Sequence, residues 1–412
     1  MRPNPPTENP TEHPVEHATE HPPDPLGLTL EGFTGRAAQR GFGPGQAARA
    51  YRQILREGRA EAFADRGRPI ARARVAPIVT ELAEDVPEGI TTKFVQRLDT
   101  MPRPADTGRS IDRHHLGALA GHDDARHLDI ESVIIPMVGR TGRRTHTLCV
   151  SSQVGCAMGC GFCETAQMGL VRSLTAEEIV GQWWAARHVK RTPIDNIVFM
   201  GMGEPLDNPR EVVRAIEVLT DHNGPAIPMS RITISTVGRV DGLRLLAERV
   251  REHGWHRLGL AVSINAPNDR VRDGLMPVNR RYGMDELRET LLDFRRGSNR
   301  KLCFEYVLIP GVNDDRDHAR QLADYLEPFA AREGRSPTGL VNVIPYNPRR
   351  GSPWPAPEEQ AVQEFIAWLA EDGLYVKRRR TKGRAMMGAC GQLGTAEIRG
   401  RKLVGVTIDG RA

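Results

Sequence analysis

The chain has 412 residues, 39% hydrophobic and 26% charged, and its 57 Lys and Arg exceed its 52 Asp and Glu to leave a net charge of +5. That balance suits a globular protein with one sizeable domain and appendages. No apolar run is long enough to span a bilayer, no charged-then-apolar leader opens the sequence, and six Cys over this length make no disulfide framework. A cytoplasmic, monomeric protein in a reducing compartment, with no membrane partner, is expected.

Residues 1–24 are mostly Pro, Glu, His and Thr, too poor in apolar side chains to bury a core, and are predicted to be disordered. His13, His17 and His21 recur every four residues and would share one face of a helix, but Pro14 and Pro22 argue against that helix. Residues 25–100 read as an Arg-rich helical accessory domain. Ala47–Arg56 carries Ala, Tyr, Ile and Leu at helical spacing, and Ile70–Leu82 repeats the pattern more weakly across Pro77. Such a unit could bind RNA or could simply pack. Residues 101–146 read as a β-rich connector, with Ile130–Pro136 its clearest strand.

Over 147–375 the pattern becomes an alternation. Strands are predicted at Thr147–Ser152, Asn196–Met200, Arg231–Thr236, Gly259–Asn265, Leu302–Ile309 and Val341–Pro345. Between them lie helices with legible starts. Thr175 and Glu178 form a capping box, and Asn208 with Pro209 offers a cap followed by Pro at the first helical position. Further helices fit Gly283–Arg295, Asp314–Tyr325 and Pro357–Ala370. Strands alternating with helices imply a parallel sheet with right-handed crossovers, here an α/β (β/α)6 partial barrel with its chemistry at the C-terminal strand ends. Residues 376–412 read as a basic tail containing Arg378-Arg379-Arg380. A charge run of this kind suits a polyanionic partner, and equally a solvated face.

The run Cys156-Ala-Met-Gly-Cys160-Gly-Phe-Cys163 follows the first barrel strand. Three thiolates so spaced can hold three irons of a 4Fe–4S cubane and leave the fourth open to a small chelating molecule. A structural zinc site would want a fourth ligand. After the second strand comes Gly201-Met202-Gly203-Glu204-Pro205, whose glycines allow close backbone approach and whose carboxylate could meet an ammonium group. Ser235, Ser263, Asn265 and Asn347 end or follow later strands and offer short polar groups. Cys303 sits mid-strand and reads as a buried apolar thiol. Cys390, between Gly388 and Gly391 in the basic tail, reads as an accessible one.

These residues carry a family resemblance. The Cys149 segment, the three-Cys loop, Gly-Met-Gly-Glu-Pro, the Ser-Ile-Asn-Ala-Pro-Asn-Asp run from Ser263, the Met-Pro-Val-Asn-Arg run from Met276 and the Ala-Cys-Gly-Gln-Leu tail together resemble the RlmN/Cfr family of radical-SAM RNA adenosine methyltransferases. The resemblance covers roughly residues 120–395. It implies Cys156, Cys160 and Cys163 as cluster ligands, and Gly203, Glu204, Ser235, Ser263, Ile264, Asn265 and Asn347 as contacts to S-adenosylmethionine (SAM). It also implies Cys390 as a methyl carrier, Cys149 as the thiol that resolves it through a transient disulfide, and Glu131 as proton acceptor. Without the resemblance Glu131 would read as a solvated strand carboxylate.

The implied route consumes two SAM per turnover, takes an electron from a donor such as flavodoxin, and methylates an adenine in ribosomal RNA and tRNA. Carbon 2 is favoured, with carbon 8 the alternative; a radical-SAM enzyme acting on another substrate is the second reading. Asn265 stands where many members have His, Gly388 where the tail usually has Ala, and the first 100 residues match only loosely.

Overall fold

The computed structural model describes residues 21–64, 67–99, 127–139, 141–331, 334–349, 351–379, 383, 387–389 and 391–394. The chain opens with two helices, α1 (Leu30–Gln39) and α2 (Pro44–Leu55), whose apolar faces meet through Phe33 and Tyr51. This pair docks onto the core by buried polar anchors: the Tyr51 hydroxyl lies 3.2 Å from Asp221, and the Trp184 indole donates to the Ile54 carbonyl at 2.9 Å. His13 and His17 lie outside the described residues.

Helix does not continue through the accessory region. After β1 (Glu61–Phe63), the stretch Ile70–Leu82, where helical spacing had been read, falls on strands β2 (Pro69–Arg72) and β3 (Ile78–Val86), and β4 (Gly89–Asp99) follows. The helical accessory domain is thus corrected to a helical pair followed by β structure. Pro69 and Pro77 remove helical donors, and Ile78, Val79 and Thr80 are β-branched. Gly89, at φ 138°, then turns β3 back onto β4 in an antiparallel hairpin. Pairing across that hairpin outweighs a weak 3.6-residue period.

β5 (His127–Val138) is longer than the strand read at Ile130–Pro136, and it pairs antiparallel with both β4 and β6 (Arg144–Cys149). The described part of the region read as a connector is therefore part of the sheet. From β6 onward the sheet is parallel, through β9 (Asn196–Phe199), β10 (Ile232–Thr236), β11 (Gly259–Ser263), β12 (Leu302–Leu308), β13 (Gly339–Pro345) and β14 (Val376–Arg378). Its ten strands run in the order β14-β13-β12-β11-β10-β9-β6-β5-β4-β3. The basic tail thus begins as a further parallel strand. A small hairpin of β7 (Gln153–Gly155) and β8 (Leu170–Ser173) stands apart and brackets the short helix α3 (Glu164–Gln167).

The crossover helices are α4 (Ala176–Trp184), α5 (Pro209–Thr220), α6 (Val240–Arg249), α7 (Asp269–Leu275), α8 (Met284–Gly297), α9 (Arg316–Leu326) and α10 (Glu359–Glu371). Each long one buries residues at helical spacing, such as Leu287, Leu291 and Phe294 of α8. The capping box of α4 forms as read, with Thr175 Oγ1 accepting from Glu178 N–H at 3.3 Å and Glu178 returning the bond at 3.0 Å. Asn208 differs. It occupies the cap position of α5, but its amide donates instead to the Ser152 and Leu174 carbonyls at 3.1 and 2.8 Å, tying the helix to the loops after β6 and β8. Among the described residues no helix is long and apolar enough to cross a membrane.

Candidate active site

A cleft of about 1000 Å³ opens at the C-terminal ends of the parallel strands. Cys156, Cys160 and Cys163 line it from one side, and Gly203, Glu204, Ser235, Ser263, Asn265 and Asn347 line it from the strand ends. The sequence spreads these nine positions over nearly two hundred residues; parallel winding brings them to one rim.

The three-Cys loop is pinned at several points. Cys156 N–H donates to Gly169 O at 2.9 Å across the β7–β8 hairpin, Gly161 N–H donates to Leu275 O at 2.9 Å, and Arg349 Nε donates to Gly161 O at 2.9 Å. Burial pushes all three thiols above their ordinary range, and for Cys156 and Cys160 the neighbouring thiols add to the shift. Thiols in such a pocket stay protonated unless a positive centre arrives to bind them as thiolates. Among the described residues no three His, Cys, Asp or Glu side chains converge to hold a single metal ion. Ligands that each serve a different iron of one cluster have no need to converge. The donor set fits a cubane.

Glu204 is fully enclosed, with Oε1 accepting from Leu206 N–H at 3.0 Å and Oε2 from Val237 N–H at 2.8 Å. Burial nevertheless pushes it up to about 7, so a cation brought into the cleft would favour its charged form. Gly201 and Gly203 cannot carry side chains here. A Cβ on Gly201 would meet Val150 O at 2.6 Å, and one on Gly203 would meet Gln153 at 2.5 Å. Asn265 has φ 55°, a left-handed conformation that Asn tolerates, and its Oδ1 accepts from Val307 N–H at 2.9 Å. Ile264 is the exception among the foreseen contacts. Its side chain is fully buried in the core, its N–H donates to Glu305 O at 3.0 Å, and its carbonyl accepts from Arg272 at 3.1 Å.

Cys149 ends β6 and pairs with Val133 of β5, so Glu131, two residues away, faces the same side of the sheet. Glu131 is no solvated carboxylate; it is 3% exposed. Its Oε2 accepts from Gly394 N–H at 3.1 Å and lies 3.5 Å from Lys93 Nζ. The tail returns to this place, with Gly391 and Leu393 forming part of the cleft wall. Cys390 itself lies outside the described residues.

Two groups at the strand ends were missed in the sequence. Glu305 lines the cleft from β12, taking Arg379 Nη1 at 2.6 Å and Ser235 Oγ at 3.3 Å. Arg272 is fully buried and donates to the Ile264, Val237 and Ser263 carbonyls at 3.1, 2.6 and 3.2 Å, stitching together the ends of β10 and β11. For Glu305 the available signal was a carboxylate at the fourth position of the strand predicted from Leu302, in the phase opposite to Leu302, Phe304 and Tyr306. The basic run is also partly spent internally: Arg379 serves Glu305, and Arg378 pairs with Glu359 at 2.7 Å. Arg350, Arg380, Lys382 and Arg384 lie outside the described residues.

The profile of the Radical SAM superfamily matches residues 150–323. A probable dual-specificity RNA methyltransferase RlmN 1 of Protochlamydia amoebophila (strain UWE25) is 43% identical over 276 residues, covering 67% of this chain and 72% of the relative. The dual-specificity RNA methyltransferase RlmN of Syntrophotalea carbinolica is 38% identical over 322 residues, covering 78% and 74%. The crystal structure of a radical SAM methyltransferase from Sphaerobacter thermophilus superposes with a TM-score of 0.72 at 31% identity, covering 90% of this chain and 99% of that one. The expected α/β radical-SAM fold is borne out. With these likenesses spanning most of its length, the chain belongs to the RlmN family of radical-SAM RNA methyltransferases.

Proposed function

We propose that this chain methylates an adenine carbon in RNA, using Cys390 as methyl carrier. The family implies SAM and an iron–sulfur cluster as cofactors. When bound by Cys156, Cys160 and Cys163, a 4Fe–4S cluster supplies the electron that splits one SAM reductively, drawn from a donor such as flavodoxin. The chain's own residues do the rest. Glu204 and the Gly201–Gly203 backbone receive the methionine portion of SAM, while Ser235, Ser263, Asn265 and Asn347 receive its ribose, adenine and carboxylate. Cys390 as thiolate attacks the methyl carbon of a first SAM, releasing S-adenosylhomocysteine. That carbon gives one hydrogen atom to the deoxyadenosyl fragment of the cleaved second SAM, which leaves as 5′-deoxyadenosine beside methionine, and then bonds to the adenine ring. Glu131 then takes the ring proton, and Cys149 attacks the Cys390 sulfur, freeing the methylated base and leaving a Cys149–Cys390 disulfide.

The observation that carries this reading is the meeting of Glu131, Cys149 and the residues flanking Cys390 beside a three-thiol cleft. A radical-SAM enzyme with other chemistry has no use for that second thiol and carboxylate. Carbon 2 of an adenosine in 23S ribosomal RNA, and in tRNA, is the substrate we favour. The base must be looped out or opened to reach the cleft. Mass spectrometry of RNA nucleosides from a strain lacking this gene tests it. Loss of 2-methyladenosine is expected; loss of 8-methyladenosine instead would move the target to carbon 8, and no change in either would refute both.

A further inference from the structure

Lys93 of β4 was not foreseen as a site residue, yet it is one of the few buried lysines such a fold can hold, with a side chain 6% exposed. Its ammonium lies 3.5 Å from Glu131 Oε2 and donates to the Met387 carbonyl at 3.2 Å. The same Glu131 oxygen accepts the Gly394 N–H at 3.1 Å. Met387 and Gly394 stand on either side of Cys390 in the sequence. Between them, the Gly391 carbonyl accepts from Glu164 N–H at 2.7 Å and the Leu393 carbonyl from Thr165 Oγ1 at 2.6 Å, both on α3 beside the last cluster thiol. The sheet therefore grips the two ends of the segment, and the cluster helix grips its middle. Removing a lysine from water is costly, and a compact charge with three donors is suited to serve a carboxylate and a carbonyl together.

We propose that Lys93 is a positioning residue which, paired with Glu131, docks the Cys390 segment over the cleft and so sets where the methyl-carrying sulfur stands. The proposal rests on the methyl-carrier reading above. It is tested on anaerobically reconstituted wild type, Lys93→Met and the double variant Lys93→Met/Glu131→Leu. Three quantities are read: reductive SAM cleavage without RNA, methyl mass on the Cys390 peptide, and methyl transfer to RNA.

Lys93→Met is expected to hold its cluster and cleave SAM at the wild-type rate. Its loading of Cys390 and its transfer to RNA should both slow at least about tenfold, the scale set by a displaced reacting group. Should Lys93→Met leave the Glu131 charge stranded and fail to fold, the double variant decides alone. It replaces the pair with apolar side chains, and its Cys390 loading, a step that asks no proton of Glu131, should slow as much. Wild-type loading in either variant overturns the proposal. So does a parallel fall of SAM cleavage and loading in the double variant, which would mark a structural residue. A wild-type protein that neither loads Cys390 nor methylates RNA instead overturns the function itself.

Discussion

Asp24 illustrates at the residue scale how burial and hydrogen bonding contend. Its Oδ1 accepts from Leu26 N–H and its Oδ2 from Arg74 N–H, both at 2.9 Å, which favours the charged form. Burial outweighs them and pushes the carboxyl from 3.8 up to about 7, with Glu177 nearby adding to the shift. The folded state therefore holds this proton more tightly than the unfolded one. Stability contributed by the group is complete below the ordinary carboxylate range and is lost as pH rises through about 7. Asp24→Asn removes the titration. Thermal unfolding of both proteins should show wild type losing ground to the variant between pH about 4 and about 7, by at most on the order of 4 kcal/mol. Wild type gaining ground over that range would mean that the two N–H bonds outweigh burial. The sequence displayed Asp24 only as a polar residue among prolines. Nothing local in Pro-Pro-Asp-Pro announces a carboxylate enclosed by the link between β2 and β3, fifty residues away.

At the scale of elements, legibility followed the locality of the signal. The capping box of α4 and the strand cores of β9 to β13 rest on neighbours a few residues apart, and they formed where they were read. The β3–β4 hairpin and the unforeseen α6 depended on partners elsewhere; α6 lines up Val240, Leu243, Leu246 and Ala247 in a run crowded with charge. Local chemistry was also visible in the cluster loop, but its fastening was not.

Gly155 has φ +77°, and a Cβ there would lie 1.8 Å from the Gly169 carbonyl, a backbone atom that cannot yield. Gly169, at φ +66°, has nothing within 4 Å of its Cβ position. Gly169→Ala should therefore cost only about 1–2 kcal/mol of left-handed strain. Gly155→Ala must open the β7–β8 hairpin and let go of the Cys156 N–H bond, so it should lose most of its cluster. Iron and sulfide analysis of the two variants, reconstituted side by side, checks the contrast. Equal cluster content in both would show that the hairpin does not hold the loop.

Across the whole molecule, the site is assembled by contacts that no sequence window contains. Thr165 meets Leu393, Glu131 meets Gly394, and Arg379 meets Glu305, so the described part of the tail closes over a cleft begun some 240 residues earlier. Family motifs brought these segments into view; only the fold says which atoms meet. The barrel strands and the three-Cys loop are complete before the last turn of the tail, so the tail acts as a cover rather than a strut. A chain stopped after Arg379 keeps β14 and the Arg379–Glu305 pair but loses the Gly391 and Leu393 bonds to α3. It should still assemble a 4Fe–4S cluster without oxygen and cleave SAM when reduced, while methylating nothing. Its cluster, bared on the side that Gly391 and Leu393 wall in, should bleach in air several times faster than that of the full chain, read as decay of the visible cluster absorbance. Equal bleaching rates would mean that the tail delivers Cys390 without shielding the iron.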